Sequence, residues 1–288
     1  MPTLELPDSL VSVDWLHEHL DHPQLVIFDG SWHMPATQRD ALDEFQHEHI
    51  RHARFFDFDQ KICKADSDLP HMMPDAQTFT REVQKLGLNE DSVVVIYDSM
   101  GMFSCPRVWW MLRAMGFENC AMLDGGLPAW HRAGYEVDVD VEELSITPGN
   151  FIARPIANRI CNTAEVVKAF DDDSVAIVDA RPAPRYLGEV EEPRPGLRRG
   201  HMPGASNLPF PDLFENGLLK SREQLAAILA DHFQADKHTI CSCGSGVTAC
   251  VVGFAAHLLG NDNVSVYDGS WSEWGLPGDL PVVTGPSA

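Results

Sequence analysis

The second half of the chain repeats the first half, and this repetition restricts the fold more than any other feature. The stretch QLVIFDGS, whose apolar run ends at Asp29, matches SVAIVDAR, whose run ends at Asp179. Three more matches follow in the same order: HIRHARFFDF with HMPGASNLPF, DSVVVIYDSMG with DKHTICSCGSG, and DGGLPAW with DGSWSEW. Four ordered matches at nearly one separation predict two similar domains in tandem.

Within each half, short apolar stretches alternate with segments of helical periodicity, such as TFTREVQKLG and REQLAAILADHF. This alternation favours parallel strands connected by helices. We therefore predict an α/β fold of two tandem domains, each with a mainly parallel sheet and helices on both faces. Segment 136–155 is acidic and then rich in Pro and Gly, as is typical of a linker, so we expect one domain at residues 1–150 and the other at 151–288.

The composition excludes several classes of partner. A formal net charge of −22 argues against binding to nucleic acid or to an anionic membrane, because phosphates are bound by clustered Lys and Arg. No apolar stretch approaches the roughly 18 residues that span a bilayer. The first basic residue is Arg39, so we see no targeting segment and expect a cytoplasmic protein. The seven cysteines are expected to be reduced thiols, and their spacing predicts no metal site.

One stretch of the second half, TICSCGSGVTAC at residues 239–250, has the pattern expected of a reactive site. Its apolar start predicts a strand, and Cys243 opens the turn into a helix. Main-chain N–H groups and the helix dipole at such a turn stabilise a thiolate, which is the nucleophilic form of cysteine. Gly244 and Gly246 let the backbone come close to the sulfur. The counterpart of Cys243 in the first half is Asp98, so we expect chemistry at the mouth of the second domain only.

A cluster of arginines points to an anionic substrate. The segment DARPAPRYLGEVEEPRPGLRRGH begins where a predicted strand ends, and guanidinium groups bind carboxylates through paired hydrogen bonds. We expect Arg185 and Arg194 to face the site, and Arg198 and Arg199 to pair with neighbouring glutamates.

Three other interpretations compete. GSGVTA fits the dinucleotide pattern G-x-G-x-x-A, but only 20 residues follow Asp268, too few for the further units of that fold. A cysteine-dependent phosphatase requires an arginine that closes the loop, where this chain has Ala249. A non-catalytic pair of binding domains remains open, and selective alkylation of Cys243 would argue against it.

Several motifs together carry a family resemblance over nearly the whole chain: FFDFDQ, LPHMMP, FSCPRVWWMLRAMG, DGGLPAW, CGSGVTA and YDGSWSEWG. With these motifs the chain resembles the tandem-domain sulfurtransferases of the rhodanese superfamily. The resemblance implies that Cys243 takes sulfur from 3-mercaptopyruvate as a persulfide, releases pyruvate, and passes the sulfur to cyanide, a thiol or thioredoxin, without a cofactor. Thiosulfate is the alternative donor. Thiosulfate-specific relatives typically have basic residues after the cysteine, where this chain has Gly244 and Ser245.

The resemblance also implies roles for individual residues. Arg185 and Arg194 would bind the donor's carboxylate. The loop that binds the donor and its sulfur would comprise Gly244, Gly246, Val247 and Thr248. A proton relay would comprise Ser245, His71 and Asp59, and it requires the two domains to face each other. The family does not require Cys241, and its linkage to Cys243 is a separate hypothesis.

Overall fold

The protein is described here by a computed structural model that covers residues 3–139, 146–234 and 236–286. It divides into two compact units. The first comprises the chain up to Ala65 together with Met73–Ile156, and the second comprises Asp66–Met72 and the chain from Ala157 onward. Residues 140–145 of the expected linker lie outside the described residues, and the domain limits at 150 and 151 stay a prediction.

The first unit is built on a five-stranded sheet with helices between its strands. Its strands are β1 (Leu10–Val11), β2 (Leu25–Asp29), β3 (Glu48–His49), β4 (Ala53–Phe55), β5 (Val93–Tyr97), β6 (Cys120–Leu123) and β7 (Asp138–Val139). Its helices are α1 (Val13–His19), α2 (Ala41–His47), α3 (Ala76–Lys85), α4 (Cys105–Ala114) and α5 (Gly126–Arg132), with a 3₁₀ turn at Pro35–Thr37. The sheet order is β1-β6-β5-β2-β4, and every pair in it is parallel.

The second unit has the same construction. Its strands are β8 (Ile160–Cys161), β9 (Val175–Asp179), β10 (Ser206–Asn207), β11 (Phe214–Glu215), β12 (Leu218–Leu219), β13 (His238–Ser242) and β14 (Val264–Tyr267). Its helices are α6 (Thr163–Ala169), α7 (Ala183–Tyr186), α8 (Arg222–Leu229), α9 (Ala249–Leu258) and α10 (Ser270–Trp274), with a 3₁₀ turn at Phe210–Leu213. The sheet order is β8-β14-β13-β9-β10, again with parallel pairs throughout.

The two sheets have one topology. Strands β1, β2, β4, β5 and β6 occupy the positions that β8, β9, β10, β13 and β14 occupy in the second sheet. The smaller pairs β3 with β7 and β11 with β12 are antiparallel. The predicted class, two similar α/β domains with mainly parallel sheets, is confirmed.

Helix α9 is buried and fixes one end of the loop that contains Cys243. Apart from the half-buried His257, every residue of α9 is buried, as its nearly continuous apolar sequence predicts. The helix ends just before Gly260, whose φ of +80° is a conformation that glycine adopts without strain. The buried strand β13 leads directly into the loop before α9, so this loop is fixed at both ends.

Two properties of the described residues bear on function. None of their helices has both the length and the apolar character that a bilayer-spanning segment needs. No group of three or more His, Cys, Asp or Glu side chains among them is arranged to hold a metal ion.

Candidate active site

Cys243 follows the last residue of β13, at the carboxyl end of the second sheet. We call residues 243–248 the Cys243 loop; α9 begins immediately after it. The neighbouring strand β9 ends at Asp179, which is paired with Ser242. The arginine-rich segment that begins at Asp179 and the Cys243 loop therefore start from the same edge of the sheet, which is where ligands bind in open α/β folds.

The Cys243 side chain is less accessible than the sequence predicts. Cys243 is 1% exposed, and Ser245, Gly246 and Val247 are also buried. Of the loop residues, Gly244 and Thr248 are half-buried. Cys243 is therefore enclosed by the protein rather than placed at an open mouth.

The start of α10 holds the Cys243 loop in place. Trp271 N–H donates to the Cys243 carbonyl at 2.9 Å, and Ser272 N–H donates to the Gly244 carbonyl at 2.8 Å. Cys243 N–H donates to Ser270 Oγ at 3.1 Å, and that hydroxyl donates to the Tyr267 carbonyl at 2.8 Å. Sequence reasoning missed Ser270. The signal is its replacement of Gly126, the counterpart glycine in DGGLPAW, at a backbone φ of +47°.

In the first unit, the equivalent loop binds a carboxylate. We call residues 98–104 the Asp98 loop; they lie between β5 and α4. Asp98 Oδ1 accepts from Met100 N–H at 2.9 Å and from Met102 N–H at 3.0 Å. Asp98 Oδ2 accepts from Ser104 N–H at 2.7 Å and from Cys105 N–H at 2.8 Å. Four main-chain donors therefore surround one negative charge, an arrangement known as an anion nest.

The Cys243 loop has the same turn without a carboxylate. Gly246 lies three residues after Cys243, and Gly101 lies three residues after Asp98; their φ angles are +73° and +82°. The Cys243 loop is one residue shorter than the Asp98 loop. Counted from Cys243, the counterparts of the first two donors are the N–H groups of Ser245 and Val247. Counted from the start of the helix, the counterparts of the last two are those of Thr248 and Ala249. Within the described residues, the structure shows no acceptor for these four groups. They are therefore available to an anion at Cys243, whether thiolate or persulfide.

Burial makes five other thiols of the chain harder to ionise than a free cysteine. Burial raises the pKa values of Cys105 and Cys241 well above the ordinary value, and those of Cys120 and Cys161 to about 12. Burial likewise raises the pKa of Cys63, with Asp59 and Asp57 adding to the effect. All seven cysteines are free. The Cys241 to Cys243 linkage stays a hypothesis.

Arg185 lies against the Cys243 loop. A methyl group placed on Gly244 would lie 3.1 Å from Arg185 Nη2. The same guanidinium donates to Glu192 through Nε and Nη2. Arg185 therefore has an internal carboxylate partner and also borders the loop.

The remaining arginines of the segment have different surroundings. Arg194 Nη2 lies 3.5 Å from His71 Nε2, and both residues belong to the second compact unit. A guanidinium only donates, so Nε2 accepts from it only when it carries no proton. Arg199 pairs with Glu191, as predicted. Arg198 was predicted to pair with a glutamate; instead its Nη atoms donate to the carbonyls of residues 274, 278 and 280, because the chain's last segment packs beside it.

The predicted relay spans both units. Ser245 is buried in the Cys243 loop, and His71 is buried and contacts Arg194. Asp59 lies in the first unit, where its Oδ2 accepts from Gln60 Nε2 at 2.7 Å. The assignment of these three residues to one relay stays a prediction.

Comparison with known proteins identifies the family of the chain. The model of the rhodanese-like domain matches twice, at residues 12–133 and 162–276. A 3-mercaptopyruvate sulfurtransferase of Escherichia coli strain K12 is 43% identical over 274 residues, which cover 94% of this chain and 96% of that protein. A mitochondrial thiosulfate/3-mercaptopyruvate sulfurtransferase of Arabidopsis thaliana is 38% identical over 296 residues, covering 96% of this chain and 78% of that protein.

The similarity also holds at the level of three-dimensional structure. The crystal structure of SseA from Escherichia coli, described with the rhodanese fold of 3-mercaptopyruvate sulfotransferases, superposes with a TM-score of 0.82 at 40% identity. The match covers 92% of this chain and all of that chain. The same family is indicated by the two matched domains, by the shared topology of the two sheets and by the relatives that align with nearly the whole chain. The chain belongs to the rhodanese-like family.

Proposed function

We propose that the protein is a sulfurtransferase that takes sulfur from 3-mercaptopyruvate and passes it to a thiophilic acceptor. The relatives named above carry this activity in their names and align with nearly the whole chain. One observation carries the proposal: the strand–loop–helix arrangement that holds the Asp98 carboxylate in the first unit is repeated in the second unit, where Cys243 stands at the position of Asp98. A loop that binds an anion in the first unit thus begins with a thiol in the second.

In the first step, the Cys243 thiolate attacks the sulfur of the donor. The new S–S bond forms as the carbon–sulfur bond breaks, and the electron pair of that bond stays on the methylene carbon. This carbon takes the proton of the donor's thiol, so the products are pyruvate and a Cys243 persulfide. The N–H groups of the Cys243 loop stabilise the negative charge on sulfur before and after the transfer.

In the second step, an acceptor thiolate, cyanide or thioredoxin attacks the outer sulfur and regenerates the Cys243 thiolate. The order is ping-pong, because pyruvate leaves before the acceptor reacts. Arg185 and Arg194 bind the donor's carboxylate. Ser245, His71 and Asp59 are the proposed route for a proton. Seven free cysteines fit a reducing compartment, so we place the protein in the cytoplasm.

Steady-state kinetics with 3-mercaptopyruvate and with thiosulfate test the proposal. We expect higher kcat/KM for 3-mercaptopyruvate, since no basic side chain follows Cys243 in the loop. Cys243→Ser should abolish pyruvate release, and the matched Cys250→Ser variant should retain it if the protein folds. Substantial turnover by Cys243→Ser would refute the nucleophile. A preference for thiosulfate would change the assigned donor but keep the reaction class.

A further inference from the structure

Glu192 binds two arginines of the second unit at once. Its Oε1 accepts from Arg181 Nη1 at 2.8 Å, and its carboxylate accepts from Nε and Nη2 of Arg185. The side chain of Glu192 is 2% exposed, whereas that of Arg185 is 18% exposed. The carboxylate is therefore held inside the protein while its second partner reaches toward the site.

Arg181 serves as the anchor for Glu192. Its Nε and Nη2 donate to Asp179, its Nη2 also donates to the Gly200 carbonyl at 2.8 Å, and its guanidinium stacks on Trp271 at 4.0 Å. The side chains of Arg181 and Asp179 are fully buried. Each nitrogen of the Arg181 guanidinium thus has an internal partner, and its position fixes where Glu192 lies.

Glu192 in turn fixes the orientation of Arg185. It occupies the edge of the guanidinium formed by Nε and Nη2, and within the described residues Nη1 makes no hydrogen bond. A Cβ atom on Gly244 would lie 3.8 Å from Nη1. The unused donor group of Arg185 therefore lies next to the Cys243 loop, where an incoming anion can accept from it.

The charges of this cluster cancel. Asp179 and Glu192 carry two negative charges, and Arg181 and Arg185 carry two positive charges. The cluster therefore presents Arg185 to the Cys243 loop without an excess of positive charge. A dianion brings one more negative charge into this buried site than a monoanion does, and the cluster has no excess positive charge to compensate it, which is costly.

We propose that Glu192 is a positioning residue that sets the charge of the donor: it directs Arg185 at the Cys243 loop and cancels one positive charge, so that the site prefers monoanions over dianions. This proposal rests on the proposed function, because it concerns the same site. Glu192→Gln keeps the size of the side chain but removes the negative charge, so it should shift preference toward dianions.

Kinetics on two donors give the first test. We expect Glu192→Gln to raise the ratio of kcat/KM for thiosulfate to that for 3-mercaptopyruvate by about tenfold, as one unit charge near the donor predicts. Most of the change should appear in KM. Glu192→Asp restores the charge and should move the ratio back toward that of the wild type. Glu191→Gln is the matched control, because Glu191 pairs with Arg199 on the surface and should leave the ratio unchanged.

Calorimetry at matched ionic strength gives a second test that needs no turnover. The probes are pyruvate, a monoanion, and sulfate, a dianion. We expect the wild type to bind pyruvate more tightly, and Glu192→Gln to raise the relative affinity for sulfate by about tenfold. If Glu192→Gln leaves the ratio of the sulfate affinity to the pyruvate affinity unchanged, the proposal is overturned. A wild-type protein that binds sulfate at least as tightly as pyruvate also overturns it, a result that requires no variant to fold.

The proposed function and the role of Glu192 can be refuted independently of each other. If the wild type releases no pyruvate from 3-mercaptopyruvate, the proposed function fails, and the calorimetric ratio still decides the role of Glu192. If the wild type turns over the donor but Glu192→Gln leaves both ratios unchanged, only the role of Glu192 fails.

Discussion

Asp98 and Cys243 hold the same position in the two repeats: each directly follows the central strand of its sheet and opens the loop before a buried helix. In the first repeat, four main-chain N–H groups donate to the Asp98 carboxylate. In the second, the counterpart groups have no acceptor within the described residues, and a cysteine stands at the position of the aspartate. The first loop therefore shows, within the same chain, which charge this backbone conformation accommodates.

The Asp98 loop should depend on its negative charge for stability. In Asp98→Asn, the side-chain NH₂ group would face main-chain donors, and the charge-assisted bonds would be lost. We expect the free energy of unfolding to fall by about 2–4 kcal/mol. Urea denaturation measures it, with Asp91→Asn, at an exposed position, as the control. An Asp98→Asn variant as stable as the wild type would contradict the anion-nest interpretation.

Asp29 should give the first unit a pH-dependent stability. Burial raises its pKa to about 6, since it is the counterpart of Asp179 but has Ser31 where Asp179 has Arg181. The folded state therefore holds the proton more tightly than the unfolded state, whose Asp pKa is about 3.9. The stabilisation that the protonated Asp29 contributes to the folded state is fully present below about pH 4. It is lost as the pH rises through about 6, and the total loss is up to about 3 kcal/mol.

Asp29→Asn should abolish this pH dependence and stabilise the protein at pH 7 and above. Denaturant unfolding from pH 4 to pH 8 measures both effects. The matched variant Asp179→Asn should instead destabilise the protein, because it leaves the buried Arg181 without its main partner. Equal stability changes in the two variants at pH 7 would contradict the difference we derive from their surroundings.

Arg185 and Arg194 should matter for the donor's carboxylate. Replacing either one by Ala should lower kcat/KM for 3-mercaptopyruvate by an amount equivalent to about 2–5 kcal/mol, because a bound carboxylate loses a charged partner. Arg199→Ala is the control, since Arg199 pairs with the exposed Glu191. The carboxylate assignment would be wrong if the Ala variants and the control had the same kinetics.

The absence of a side chain at Gly244 should also be measurable. A Cβ atom there would lie 3.1 Å from Arg185 Nη2, which must then move by a few tenths of an ångström. We expect Gly244→Ala to raise KM for 3-mercaptopyruvate roughly three- to tenfold through this displacement. Gly278→Ala is the control, because its added Cβ atom would meet nothing within 4 Å. An unchanged KM would show that Arg185 tolerates the added methyl group.

The fold is predictable from the sequence because the two halves of the chain repeat the same order of strands and helices. Each strand and helix signal occurs in both halves, so the matches ending at Asp29 and Asp179 support one another. Helix α9 is also predictable, since a segment that is apolar on all sides must be buried. The position of Cys243 between strand and helix follows from the same signals.

The surroundings of the site are less predictable because they depend on contacts between distant segments. The burial of Cys243 depends on tertiary packing, which the strand, turn and helix signals around it do not specify. Ser270 reaches the Cys243 N–H from a helix 27 residues away. Glu192 was one of several acidic residues near the arginines, and no spacing rule distinguishes it from Glu189 or Glu191.

A mass measurement on the peptide that contains Cys243 tests the persulfide most directly. The reduced protein is mixed with 3-mercaptopyruvate without an acceptor, digested and analysed, while released pyruvate is quantified. We predict one added sulfur atom on Cys243, in equal amount to pyruvate, and its loss when a thiol acceptor is added. Pyruvate release without added sulfur on Cys243, or with the sulfur on another cysteine, would contradict the mechanism.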